Sequence, residues 1–270
     1  MRLAGGLRAS LLAFTLLVLV VIYTPLALVV LNSFNSNRSF SWPPGDLTLK
    51  WWDLAARSEG ARAALWTSVE VALLATAVAL VLGTLAAMAL RRTRFFGRTV
   101  VSLLIILPIA LPGIVTGLAF KNAFRTMLGI DLSLLTVVIA HATFCIVTVF
   151  NNVQARLQRL GGNFEQASMD LGAGPFTTFR LVTLPMLRSA LLAGGLLAFG
   201  LSFDEIVVTT FTASSRNETL PLWIFQNLFR PNQAPVVNVV AAVLIVASAI
   251  PIYLAQRISG STAENITGAR

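Results

Sequence analysis

Apolar residues along this 270-residue chain collect into separated runs, and charged residues are confined to the segments between them. Six runs stand out, at residues 11–34, 65–90, 100–120, 134–151, 188–212 and 236–255. Each approaches the roughly 20 residues that an α-helix needs to cross about 30 Å of hydrocarbon. Lipid offers no partners to backbone N–H and C=O groups, so such spans satisfy them internally, as helices. The pattern predicts an all-α integral membrane fold of six transmembrane helices, forming one domain over residues 1–270. The first run is longer than the apolar stretch of a signal peptide. No small-residue cleavage site follows it in Leu31-Asn32-Ser33-Phe34, so it reads as a retained span.

Composition agrees. The chain is 56% hydrophobic and 11% charged, where soluble domains carry about 25% charge, and its mean hydropathy is +0.81. A net charge of +9 would suit nucleic acid if it lay on one polar face, but these basic residues are scattered over short segments between apolar runs, which reads as membrane topology. An even number of spans puts both termini on one side. That side holds Arg2, Arg8, Arg91, Arg92, Arg94, Arg98, Arg156, Arg159, Arg180, Arg188, Arg257 and Arg270, twelve of the twenty basic residues, opposed by Glu165, Asp170 and Glu264. The other side holds eight basic residues and five acids. The excess assigns both termini to the cytoplasm. Cys145 is the single cysteine, so no intrachain disulfide forms.

The outer loops carry amphipathic aromatics. Phe40, Trp42, Trp51 and Trp52 suit a membrane interface, with a turn at Pro43-Pro44-Gly45. Residues 220–225 read as a short interfacial helix closed by Pro231.

The most informative stretch is cytoplasmic, at residues 163–186. Residues 164–171 suit a short helix, Gly172 the left-handed position after it, and Pro175 the first turn of a second helix. Pro185 then marks the boundary before the fifth span. This helix-turn-helix displays Phe164, Met169, Leu171, Phe176 and Phe179. Apolar side chains on a polar face signal either a partner surface or packing against the chain's own helix ends.

Three acids fall within spans: Glu70, Asp204 and Glu205. A carboxylate at that depth costs about 2.5–3.5 kcal/mol on insertion scales, so each should face protein or a wet cavity. At 1.5 Å per residue, Glu70 lies roughly 8 Å and Asp204 roughly 12 Å below the outer ends of their spans, close enough to share a depth and to countercharge a cationic solute. Asp204 and Glu205 cannot both face one lumen. Ser202-Phe203-Asp204-Glu205 fits a capping box after Gly200, with Ser202 as the cap, which would let the span break and restart and would give Glu205 a structural role as a cap or ion-pair partner. Glu70 either lines the pathway or pairs with a base such as Arg62. His141 reads as a helix–helix hydrogen-bonding residue or as a pathway group, and Asn151 and Asn152 as caps or packing residues. Pro108 and Pro112 should kink the third span, with Gly113 and Gly117 permitting close helix approach.

Enzymatic signatures do not appear. Lys50 and Lys121 are the only lysines, and neither sits in a Gly-rich phosphate loop. One histidine excludes a His-Glu-x-x-His zinc site, and no Gly-x-Ser-x-Gly elbow occurs. The chain is read as non-catalytic, with no metal or cofactor of its own. Active transport would then draw energy from another polypeptide.

The segment Glu165-Gln166-Ala167-Ser168-Met169-Asp170-Leu171-Gly172, continuing through Pro175 to Val182-Thr183-Leu184-Pro185, resembles the cytoplasmic signature of binding-protein-dependent ABC importer permeases: Glu-Ala-Ala, three residues, Gly, nine residues, Ile, one residue, Leu-Pro. Gln166-Ala167-Ser168 falls on the triplet, Gly172 on the glycine, Val182 on the isoleucine and Leu184-Pro185 on the final pair. Gln166 and Ser168 depart from the triplet, and Glu165 supplies a carboxylate one position early. Asn32-Ser33-Phe34-Asn35, Leu111-Pro112-Gly113-Ile114-Val115, Ser202-Phe203-Asp204-Glu205 and Thr219-Leu220-Pro221-Leu222 extend the resemblance to the spermidine/putrescine branch, specifically its second permease type.

The resemblance implies a type I importer permease fold in the bacterial inner membrane. The 163–186 segment would be the coupling helix docked on a cytoplasmic ATPase. The implied partners are a second permease subunit, two ATPase subunits that bind ATP and Mg, and a periplasmic solute-binding protein delivering a cationic solute. Two rivals keep the spans but change the work: the same machinery carrying another small solute, or a proton-coupled secondary transporter.

Overall fold

The computed structural model describes residues 5–37, 45–92, 96–160, 163–230 and 232–247. These are helical almost throughout, and among them the one β-like feature is an isolated antiparallel bridge between Asn35 and Leu47. Expectations resting on Arg2, Phe40, Trp42, Pro43, Pro44, Arg94, Pro231, Arg257, Glu264 and Arg270, and on the second half of the sixth run, lie outside the described residues.

Four helices are long and apolar enough to cross a membrane: Ala9–Asn32, Glu59–Arg91, Leu134–Leu160 and Pro175–Phe203. A fifth crossing exists if the bent pair Arg98–Ala110 and Gly113–Met127 is one span. The sixth run begins in the shorter helix Ala234–Ala247.

Two compact units are present. The first comprises residues 1–62 and 223–249. In it α1 (Gly5–Asn32) is apolar on every face, and its central window is wholly unburied, as suits a helix surrounded by lipid or by another membrane subunit. After α1 the chain is fastened by its polar exit. Asn35 is buried, its Nδ2 donates to Asn32 Oδ1 at 3.3 Å, and its carbonyl accepts from Trp51 Nε1 at 2.8 Å. Trp51 and Trp52 belong to α2 (Lys50–Arg57). Trp51 is buried and Trp52 stacks on Phe34 at 5.1 Å, so these two indoles pack the loop onto the end of α1, where the sequence suggested free interfacial anchors.

The second unit, residues 63–222 among those described, is built on α6 (Leu134–Leu160). Small residues let its neighbours approach. On α3 (Glu59–Arg92), Ala72, Ala75, Ala79 and Ala87 are buried, and a Cβ on Gly83 would stand 2.9 Å from the Ile146 carbonyl oxygen. Val71 packs with Val137 and Val138 near the start of α6, while Gly83 meets Ile146 and Val149 further along, so α3 and α6 run in the same direction. The opposite progression holds for α9 (Leu184–Phe203): Gly194 meets Asn152, Cys145 Sγ lies 3.3 Å from the Ala198 carbonyl, and His141 meets Ser202. Close approach through small residues and interhelical hydrogen bonds are what hold helices together in lipid.

Two spans depart from a simple rod. The third breaks outright, where a kink was expected. Leu111, held extended ahead of Pro112, has φ −82 and ψ 143, and α4 (Arg98–Ala110) and α5 (Gly113–Asn122) meet at a 103° bend. Pro108 stays inside α4. The fifth span begins earlier than its hydropathy suggested and does not stop at Pro185. A π-helical turn, Phe179–Thr183, joins α8 (Pro175–Thr178) to α9, and the wider turn admits a residue lacking an N–H without ending the helix. The same span breaks at its far end, where Asp204 leaves the helix and α10 (Val207–Thr212) follows.

Candidate functional site: an elbow and a broken span

The expectations for α7, Gly172 and Pro175 match the elbow's backbone, whereas the boundary expected at Pro185 does not occur. α7 runs Asn163–Asp170, Gly172 takes φ +84, and Pro175 opens α8. The Gly172 N–H donates to the Met169 carbonyl at 2.9 Å and the Ala173 N–H to the Ser168 carbonyl at 3.1 Å, closing the last turn. A side chain at Gly172 would meet no neighbour within 4 Å, so glycine is required there by backbone conformation alone.

Two side-chain bridges hold the elbow's arms. Ser168 and Thr178 hydroxyls lie 3.0 Å apart, and Thr183 Oγ1 donates to Glu165 Oε1 at 2.8 Å. Thr178 and Thr183 are buried. Glu165, one place out of register with the signature triplet, therefore ties α7 to the π-helical turn. Arg156 Nε donates to the Met186 carbonyl at 3.1 Å, tying the start of α9 to α6.

The outward face is apolar. Leu171 is 90% exposed and Phe176 74%, and Phe164 and Met169 are also exposed. Phe179 is half-buried and does not belong to this face. Gln166, Ala167 and Asp170 are exposed, Pro175 and Leu184 with them, while Pro185 sits in the first turn of α9. Four large apolar side chains on one short elbow are thus left at least partly uncovered by the described helices, most of all Leu171 and Phe176.

At the other end of the span, α5 and α10 meet at two glycines of α5. A Cβ on Gly113 would lie 3.2 Å from Val207 Cγ1, and one on Gly117 only 2.6 Å from Phe211 Cδ2. The break itself is stapled by His141, which is 0% exposed. Its Nδ1 lies 2.8 Å from Ser202 Oγ on α9, and its Nε2 2.9 Å from Thr209 Oγ1 on α10. Thr209 already donates its proton to the Glu205 carbonyl at 2.8 Å, so it accepts from Nε2–H, and in the neutral ring Nδ1 accepts from Ser202. Here the structure corrects the expected capping box. Ser202 is the penultimate residue of α9 and serves His141, the break lies at Asp204–Ile206, and it is Glu205 Oε1 that accepts the Val208 N–H at 2.9 Å, capping α10. Gly200 stays helical.

The three acids separate into two classes. Glu205 is partly buried and engaged with backbone. Asp204 and Glu70 are exposed on the chain's own surface, and no described ion pair holds Glu70. Glu70 adjoins Val71, which packs at Val137 and Val138, about one helical turn of α6 from His141. Glu70 and the Asp204 break thus lie at similar levels along α6. Asn152 packs against Gly194 and donates to the Thr148 carbonyl. Thr178, Thr183 and Thr209 went unnoticed in the sequence, because a threonine inside a helix carries no signal of the partner it meets.

Residues 79–262 match the family model described as binding-protein-dependent transport system inner membrane component. The spermidine/putrescine transport system permease protein PotC of Escherichia coli (strain K12) is 32% identical, over 98% of this chain and 97% of its own. The putrescine transport system permease protein PotI of the same strain is 34% identical, over 91% and 87%, and the PotC protein of Haemophilus influenzae is 33% identical, over 92% and 95%. Among solved structures, a bacterial ABC transporter involved in import of the acidic polysaccharide alginate matches with a TM-score of 0.69 over 97% of this chain and 99% of that one, at 16% identity. The MetNI methionine ABC transporter in inward facing form matches with 0.60 over 73% and 94%, also at 16% identity. At that identity these two speak for the fold. With the family model covering most of its length and relatives aligned nearly end to end, this chain belongs to the binding-protein-dependent transport system inner membrane components, the non-catalytic membrane subunits of ABC importers.

Proposed function

We propose that this chain is the second permease of a polyamine importer, working as one domain of six spans with both termini in the cytoplasm. It pairs with a related permease, takes putrescine or spermidine from a periplasmic binding protein, and is driven by two ATPase subunits that hold the ATP and Mg. Permease relatives named for spermidine and putrescine, aligned over nearly the whole chain, support the cargo.

The observation that carries the mechanism is the elbow of residues 163–183, apolar outside and bridged inside. Leu171 and Phe176 seat in a cleft of the ATPase, Gly172 sets the turn, and Glu165, Ser168 and the two threonines keep the arms rigid. Closure of the ATPase pair pushes the elbow, and the helical run Pro175–Phe203 carries the displacement to the far side as rigid-body rocking. Gln166, Ala167, Asp170, Leu184 and Pro185 complete the docking segment at 163–186. Asp204, exposed at the break of the fifth span, supplies a countercharge for an ammonium group leaving water, and Glu70 a second one at a similar level. Glu205 shapes the break by capping α10.

ATP-dependent uptake of radiolabelled putrescine and spermidine by the reconstituted complex tests this reading. Uptake that needs ATP and the binding protein, and that falls with Asp204→Asn and Glu70→Gln, is the expected result. Uptake driven by a proton gradient without ATP would refute it, and unchanged transport by both acid variants would remove them from the pathway.

A further inference from the structure

Trp66 stands apart from the other described tryptophans. Trp51 and Trp223 are buried and Trp52 stacks on Phe34, whereas Trp66 is 72% exposed within the apolar span Glu59–Arg91. Among the described residues no hydrogen bond or ring contact engages its indole. Glu70, also exposed and held by no described ion pair, follows it by four residues on α3. That spacing sets the carboxylate roughly 6 Å along the axis and about 40° around it. An aromatic face and a carboxylate thus share one strip of the helix.

Helix geometry fixes which way the strip faces. α3 turns Ala75, Ala79 and Gly83 toward α6, and on the adjoining side Leu80 meets α9, where a Cβ on Gly195 would stand 3.4 Å from a Leu80 methyl. Trp66 precedes Leu80 by two heptads, which returns it to the same side of the helix within about 40°. The strip therefore lies on the α9 side. Depth agrees: α9 runs against α3, so the nine residues from Gly195 to Asp204 match the nine from Leu80 back to Val71, beside Glu70. Trp66 lies about one turn beyond both acids, toward the start of α3. A carboxylate at that depth needs water or protein before it, and the same strip carries the indole with it.

We propose that Trp66 is a substrate-contacting residue: with Glu70 it receives an ammonium group of the incoming solute at the outer mouth, one turn before Asp204. Tryptophan offers a cation the most attractive ring face of any side chain, and the carboxylate one turn deeper supplies the net charge that a ring lacks. The methylenes of an alkylammonium also find apolar surface on the indole. The pair therefore selects organic cations over strongly hydrated inorganic ones. This inference rests on the polyamine-import reading and adds to it the residue that meets the cargo first.

Uptake of spermidine by the reconstituted importer, with ATP and saturating spermidine-loaded binding protein, tests it. Trp66→Leu should lower the uptake rate about tenfold at an unchanged yield of complex, and Trp66→Phe, which keeps a ring face, should retain most of the rate. Wild-type uptake with Trp66→Leu equal to it would overturn the inference alone, and equal losses in Trp66→Leu and Trp66→Phe would overturn it by marking side-chain volume. No uptake by the wild-type complex would sink the polyamine reading and the inference together. A second measurement decides if Trp66→Leu fails to assemble. Trp66→Cys should react with a cationic, membrane-impermeant thiol reagent, against little background because Cys145 is buried, and spermidine import should slow that reaction severalfold. A thiol that the reagent does not reach would overturn the inference by marking a lipid-facing anchor, and labelling that import leaves unchanged would overturn it by marking a surface outside the pathway.

Discussion

The two ends of the helical run Pro175–Phe203 solve opposite problems. At the elbow, polar groups face inward, as Glu165 with Thr183 and Ser168 with Thr178, and apolar groups face out. At the far end the run breaks within a dense contact of α5, α6 and α10, and its polar groups close on one another around His141. The elbow leaves apolar side chains uncovered, whereas the break covers its groups except for Asp204, which is exposed. Substitutions should therefore act on stability at the break and on assembly at the elbow.

The largest effect on stability is expected at Gly117. An alanine there brings its Cβ to 2.6 Å from the Phe211 ring, and the overpacking should cost about 2 kcal/mol, read as a fall in the melting temperature of the purified complex. Gly113→Ala, at 3.2 Å from a valine methyl, should cost less. Next comes His141→Leu, which takes away the acceptor of the Ser202 hydroxyl and the N–H that Thr209 accepts. At roughly 0.6 kcal/mol for each hydrogen bond lost in a membrane protein, it should cost about 1–1.5 kcal/mol. If His141→Leu instead abolished transport with no fall in melting temperature, the staple would be a pathway group.

At the elbow, Gly172→Ala should cost about 1 kcal/mol for placing a side chain at positive φ, with no steric component, and should lower coupled ATP hydrolysis more than the melting temperature. The smallest effect belongs to Thr183→Val. Losing its bond to Glu165 should cost about 0.5 kcal/mol and loosen coupling, visible as more ATP hydrolysed per solute imported. Equal falls in melting temperature for elbow and break variants would erase the distinction between the two ends.

Much of this was legible in the sequence, because lipid imposes strong rules. Run lengths gave the helices, and Gly172 with Pro175 gave the elbow, since left-handed backbone and a fixed φ are local demands that announce themselves by residue type. What the sequence hid depends on partners distant along the chain. A break after Gly200 was legible, but its place at Asp204–Ile206 goes with His141, some sixty residues earlier, which bonds Ser202 on one side and Thr209 on the other. Arg156 on α6 meets the Met186 carbonyl in the first turn of α9, thirty residues away in the chain, a contact that no local pattern announces. Trp51 looked like an interfacial anchor because its Asn35 partner could not be foreseen.

In the proposed function, an external motor grips the elbow through Leu171 and Phe176. Recovery of the ATPase subunit on affinity-tagged permease, from solubilised membranes carrying wild type or Leu171→Asp/Phe176→Asp, tests it most directly. A carboxylate at each apolar anchor should cost at least about 3 kcal/mol of association, a drop on the order of 100-fold in ATPase recovered, with the amount of permease in the membrane unchanged. Undiminished recovery of the ATPase with the double variant would contradict the claim.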